Sequence, residues 1–91
     1  MIYEWDEAKR IANMVKHGLD FEAARRFDWS TALQSVDAKR DYGEIRWKSL
    51  GWIDNRLHML VFTNRGNHIR LISLRKANTR EQAFYETQID P

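Results

Sequence analysis

Between Glu7 and His17 the apolar residues recur at a helical interval, with Ala8, Ile11, Ala12 and Val15 at i, i+3, i+4 and i+7. That spacing puts four side chains on one face and predicts an amphipathic helix over residues 7–17. Asp6 stands where an N-cap belongs, and Lys16, His17 and Gly18 make the ending of a helix closed by a left-handed glycine. Just before it, residues 2–5 read as a short strand. Asp20 is placed to cap a second, shorter helix that carries Phe21, Ala24 and Phe27 on one side, with Leu19 in position for a hydrophobic staple to Ala24. The helical pattern stops near Asp28.

From there the apolar positions alternate, the period of a strand with two different faces. Four strands are predicted: "STALQSVD" (30–37), "EIRWKSLGWI" (44–53), "LHMLVFTN" (57–64) and "HIRLISLR" (68–75). Asp54-Asn55 and Gly66-Asn67 suit two-residue turns, so the last three strands should form antiparallel hairpins. Asn78 and Thr79, each followed three residues on by Glu81 or Gln82, open a closing helix over 79–88. The expected fold is α+β, with two N-terminal helices, an antiparallel sheet of about four strands and a C-terminal helix.

The first hairpin decides which side chains share a face. With Ile53 opposite Arg56, Arg46, Lys48, Leu50 and Trp52 lie with Leu57, Met59, Val61 and Thr63, and Ile45, Trp47, Ser49, His58, Leu60 and Phe62 lie on the other side. A two-residue second turn, with Arg65 opposite His68, sets Arg70 across from Thr63, itself across from Arg46. A three-residue turn would flip the last strand and bring Arg75 to that face instead. The sequence leaves both registers open, and with them the choice between Arg70 and Arg75.

Composition narrows the class. Ninety-one residues make one domain, 1–91, burying about 60–65% of the surface its unfolded chain would expose. With 43% hydrophobic residues and four Trp, the chain is too apolar and aromatic to be disordered. The absence of cysteine excludes a disulfide framework, thiolate catalysis and cysteine-ligated zinc. No signal-peptide h-region opens the chain and no run is long enough for a membrane span, so a soluble cytoplasmic protein is expected. The net charge of +2 hides an asymmetry: residues 1–54 carry nine Lys/Arg against ten Asp/Glu, and residues 55–91 carry six against three. No acid occurs between Asp54 and Glu81, a window that holds Arg56, Arg65, Arg70, Arg75, Lys76 and Arg80 with His58 and His68. Such a patch is either a solvated face or a site for a polyanion.

Three blocks, "WDEAKRIANMVKHGLDFEAA" (5–24), "GEIRW" (43–47) followed by Gly51, and "IRLISLRKANTREQAFYE" (69–86), resemble the signature of BrnT-type toxins of bacterial type II toxin–antitoxin modules. The resemblance spans nearly the whole chain, and the order and spacing of the blocks make it specific. It implies a RelE-like fold, endoribonuclease activity that blocks translation, and a partner antitoxin of the BrnA type, a ribbon-helix-helix protein through which alone the chain would meet operator DNA.

The chemistry of such a reaction sets its own demands. Metal-free RNA cleavage uses the 2′-hydroxyl to attack the adjacent phosphorus, and needs cations for the phosphate oxygens, a base and an acid. Arginine suits the first role, because its guanidinium holds two oxygens at once and stays protonated. The carboxylates are scattered without ligand-like spacing to His, so neither a metal nor another cofactor is expected. The candidate catalytic residues are Arg46, Glu44, Arg70, Arg75 and Tyr85, and the candidate RNA contacts are Lys48, Trp47, Lys76 and Arg80. Each has a plainer reading. Arg46 and Lys48 alternate as on a wet strand face, Arg75 and Lys76 solubilise a strand end, Glu44 orients a neighbouring cation, and Trp47 belongs to the core as readily as to a base stack. Acid and base must come from Glu44, Tyr85, a histidine or Lys48. His17 is explained by its place at a helix C-terminus, and His58 and His68 read as surface residues near hairpins. Tyr85 reaches the cleft if Phe84 packs on the sheet. The competing class is a non-catalytic nucleic-acid-binding or regulatory module, against which stands the lack of a basic groove-reading face on either early helix.

Overall fold

The computed structural model describes residues 1–38 and 43–89. In chain order the elements are β1 (Ile2–Trp5), α1 (Glu7–His17), β2 (Leu33–Val36), β3 (Trp47–Ile53), β4 (Arg56–Arg65), β5 (His68–Lys76) and α2 (Thr79–Ile89). The strands form one sheet in the order β1-β5-β4-β3-β2. It has five strands rather than about four and is mixed, because β1 returns along the edge of β5 in parallel, Ile2 beside His68 and Trp5 beside Leu71. Nothing local in residues 2–5 announces a partner that lies more than sixty positions away, and only tertiary pairing supplies it.

The helices follow their caps. Asp6 accepts hydrogen bonds from the N–H groups of Ala8 and Lys9, and Gly18 closes α1 at φ 70° with its N–H on the Met14 carbonyl. At α2, Asn78 and Glu81 exchange side-chain bonds to each other's N–H, the reciprocal box the sequence predicts. The second N-terminal helix is a correction. Residues 21–26 form a 3-10 turn, and a further 3-10 turn covers Trp29–Thr31. Phe21, Ala24 and Phe27 are all buried at intervals of three, which stacks them in one row on a helix with three residues per turn.

α1 departs further from its pattern. Its apolar stripe faces solvent: Ile11 is 52% exposed and Val15 84%, and Ala8 and Ala12 are exposed too. The residue it buries is Asn13, on the opposite side of the helix. The Asn13 amide donates to the carbonyls of Leu19 and Leu74 and accepts from the N–H of Leu74. β1 has ended by then, its last pair being Trp5 with Leu71, so Asn13 takes up the β5 edge where a backbone partner is missing. The helix is oriented by backbone groups that need partners, and the stripe is left outside.

The first hairpin has the expected register, with Ile53 opposite Arg56 across a turn at Asp54 (φ 55°), and the second takes the two-residue alternative, with Arg65 opposite His68 across Gly66 (φ 62°). On one face of the sheet Leu60, Phe62, Leu71 and Leu74 pack against Phe21, Ala24 and Phe27 of the covering 3-10 turn. The other packs Leu50, Leu57 and Met59 beneath α2 through Ala77 and Tyr85. Gly51 lies under the ring of Phe27, and a β-carbon there would come within 2.3 Å of the ring's Cζ. Gly51→Ala is therefore expected to destabilise the fold by about 1–3 kcal/mol, read as a shift of the chemical-denaturation midpoint, because the ring must leave a packed core to make room.

Candidate functional site

β5 contains the irregularity that builds the site. Its pairing to β4 slips between Val61 and Phe62: Val61 faces Ser73 but Phe62 faces Leu71, so Ile72 is an extra residue. A β-bulge of this kind reverses the alternation of side chains beyond it. Arg70 pairs with Thr63 on one side of the bulge and Arg75 with Met59 on the other, and both therefore stand on the face that carries Lys48 and Leu50. Five positions apart, they would point to opposite faces of a regular strand. The choice between Arg70 and Arg75 thus has the answer that both share the face, with the two-residue turn kept.

α2 covers only one end of this face, over Leu50, Leu57 and Met59. The rest is a shelf on which Lys48, Ser35, Val61 and Ser73 form one cross-strand row, and Thr63, Arg70 and Glu4 the next. Arg46 immediately precedes β3, one step before the Trp47–Phe62 pair with which the ladder ends. Thr63 is buried and donates its hydroxyl to the Ile45 carbonyl at 2.6 Å, which ties the segment carrying Arg46 to β4. Arg46, Lys48, Arg70 and Arg75 are all partly buried, so part of their hydration is already given up.

Ion pairs hold several of these cations. Arg75 donates to both carboxylate oxygens of Glu81, at 2.7 and 2.8 Å, and Glu81 also accepts from the N–H of Asn78. The guanidinium holds the Glu81 carboxyl below its ordinary pKa of 4.5, with help from Asn78 and Lys48. Arg70 is held more loosely, 3.4 Å from Glu4, which also lies 3.5 Å from His68. Glu44 is exposed and reaches Arg65 at 3.4 Å.

The remaining predicted residues lie elsewhere. Tyr85 is buried at 4% exposure, its hydroxyl donating to the Thr31 carbonyl and accepting from the Trp52 indole, while Phe84 is the exposed member of the pair. This reverses the packing on which a cleft-facing Tyr85 depended. Trp47 pairs with Phe62 and packs into the opposite core, and Lys76, across from His58, is also on that opposite face. Arg80 is exposed on the first turn of α2 and lines a groove of about 480 Å³ between α2 and β2–β3, together with Lys48. Among the described residues, no three of His, Asp or Glu are grouped as metal ligands. Sequence reasoning passed over Asn13, although a lone Asn on the side away from an apolar stripe is the signal that would have found it.

His58 corrects the expectation of a surface residue. It is 5% exposed, with Nδ1 2.8 Å from the Arg56 carbonyl oxygen. Burial pushes its pKa below the ordinary 6.5, and the charges of Arg56 and Lys76 add to that against the opposing bond to the Arg56 carbonyl. A base with a depressed folded pKa contributes stability above its unfolded value and loses it as pH falls through that window. Unfolding free energy should therefore decline as pH falls below the ordinary histidine value of 6.5 in buffered denaturant titrations. His58→Gln should flatten part of that slope, the remainder belonging to His17, whose pKa burial also lowers.

The class that emerges is a small α+β domain with a cationic shelf of two-pronged donors, suited to a phosphodiester backbone. The family model described as "Ribonuclease toxin, BrnT, of type II toxin-antitoxin system" matches residues 5–81, and the chain belongs to that family. No curated protein matches it closely enough to count as a relative. As a type II toxin it has an antitoxin for a partner. Among the described residues no helix is long and apolar enough to cross a membrane.

Proposed function

We propose that the chain is a metal-independent endoribonuclease of RelE-like fold, which arrests translation in the cytoplasm by cutting RNA across the shelf of β3–β5. The observation that carries this reading is the bulge at Ile72, which gathers Arg70 and Arg75 onto the face of Arg46 and Lys48. A strand that merely displayed solubilising charge would have no need of a register slip to collect its cations on one side. Arg46, Arg70 and Arg75 neutralise the phosphate oxygens as charge develops during attack by the 2′-hydroxyl. Lys48 and Arg80 hold the flanking backbone, and Glu44 positions Arg65 at the shelf's end. Proton transfer falls to titratable groups on this face, among them Lys48, His68 and Glu4. Tyr85 and Trp47 serve the fold.

The cognate antitoxin is of the BrnA type, a ribbon-helix-helix protein that carries the toxin to operator DNA. The test is expression of the chain alone and with the product of the neighbouring gene. Alone it should stop growth, with RNA degraded before growth ceases. Co-expressed, it should be recovered in an inactive complex. Growth arrest with intact RNA would refute the nuclease reading.

A further inference from the structure

We propose that the groove between α2 and β2–β3 receives one unstacked base of a single-stranded RNA, with Phe84 as the surface on which it stacks. This rests on the shelf being an RNA site and adds where the nucleotide beside the cut is held. The groove has the composition a nucleotide requires. Leu33, Leu50 and Met59 give it an apolar floor, and Phe84, 54% exposed, offers a ring to a ligand. Two cations, Lys48 and Arg80, line the same cavity, and the acid that also lines it, Glu81, already has both carboxylate oxygens engaged by Arg75. A flat ring with an apolar face, joined to a phosphate, satisfies both at once, whereas an apolar peptide side chain would leave the cations unanswered. At about 480 Å³ the groove falls in the range of small-ligand sites.

Continuity fixes the path. Lys48 belongs to both the groove and the shelf row that ends at Ser73, and its charge also acts on Glu81, the partner of Arg75. A strand of RNA that lays its backbone along Arg46, Arg70 and Arg75 therefore passes the groove within one cross-strand row. Ser35, from the edge strand β2, and Gln88 from α2 supply donors and acceptors that can read the edge of the inserted base. The groove is thus the element that favours one base over another.

The test uses short 2′-O-methyl oligoadenylate and oligouridylate, which cannot undergo internal attack, and an abasic ribose-phosphate chain of the same length. Phe84→Ala should weaken binding of the base-bearing oligomers about tenfold or more, the loss typical of one stacked base, and leave the abasic chain unchanged. Phe84→Trp should restore binding. Arg70→Ala, by contrast, should weaken all three alike, because it meets phosphate. Since Phe84 is exposed, its loss does not threaten the fold. Equal affinity of wild type and Phe84→Ala for every oligomer would overturn the base pocket while leaving the shelf standing. So would a Phe84→Ala protein that binds RNA normally but no longer holds its co-expressed antitoxin, which would make the groove a protein-docking site. Failure of the wild-type chain to bind any oligomer would overturn the shelf, and the pocket with it.

Discussion

Arg70→Ala is expected to lower RNA cleavage about 10²- to 10³-fold, the usual cost of removing one charge-stabilising donor from a transition state. It is the cleanest of the three arginine tests because little else depends on the side chain. Among the described residues its side chain is held by a 3.4 Å contact to Glu4 at a partly exposed edge, so folding stability should change by no more than about 1 kcal/mol. Arg70→Lys should rescue poorly, since an ammonium group cannot span two phosphate oxygens. Arg46→Ala should lose activity in the same range. Arg75→Ala should be equally inactive but measurably less stable, because its two-pronged bond to Glu81 joins β5 to the first turn of α2. Cleavage rates and thermal melts on the same preparations separate the two effects. A folded Arg70→Ala protein with wild-type activity would remove that residue from the mechanism.

Asn13→Ala is expected to be the most damaging single truncation outside the apolar core. The side chain is 6% exposed and makes three hydrogen bonds to backbone, two of them to Leu74, which is fully buried. Alanine would leave those groups without partners and without access to water, at about 1–3 kcal/mol for each unsatisfied group. Because the structure can relax, the total should be about 2–4 kcal/mol. In a domain of this size that lowers Tm by roughly 10–25 °C. Asn13→Asp should be no better, since it sets a second acceptor against two carbonyl oxygens. The control lies on the far side of the same helix: Val15→Lys, at an exposed position, should change stability by less than about 0.5 kcal/mol. If Asn13→Ala melts like wild type, α1 is held by something other than this amide.

What the sequence made legible was what depends on near neighbours. The caps at Asp6 and Gly18, the Asn78–Glu81 box and both hairpin turns are local chemistry, and each was predicted in place. The first hairpin in turn put Arg46 and Lys48 on one face, whereas the second was left open between two registers, of which the structure has the one that sets Arg70 opposite Thr63. The misses are non-local. Apolar spacing marks one side of α1 as different from the other but does not say which side the protein needs, and a buried Asn outweighed Ile11 and Val15. Strict alternation forbade Arg70 and Arg75 from sharing a face, and only a bulge, invisible in "IRLISLR", lets them. Tyr85 and Phe84 are adjacent on α2, and nothing in the residue types says that Thr31 and Trp52 wait for the tyrosine hydroxyl.

The central claim is that this shelf cleaves RNA by internal attack stabilised by arginine. The most direct measurement is the chemistry of the new ends when purified protein is incubated with single-stranded RNA in excess EDTA. The account predicts cleavage that leaves a 2′,3′-cyclic phosphate on one fragment and a 5′-hydroxyl on the other, because the attacking oxygen is the neighbouring 2′-hydroxyl. Cleavage that stops with EDTA, returns with magnesium and leaves a 5′-phosphate would contradict it.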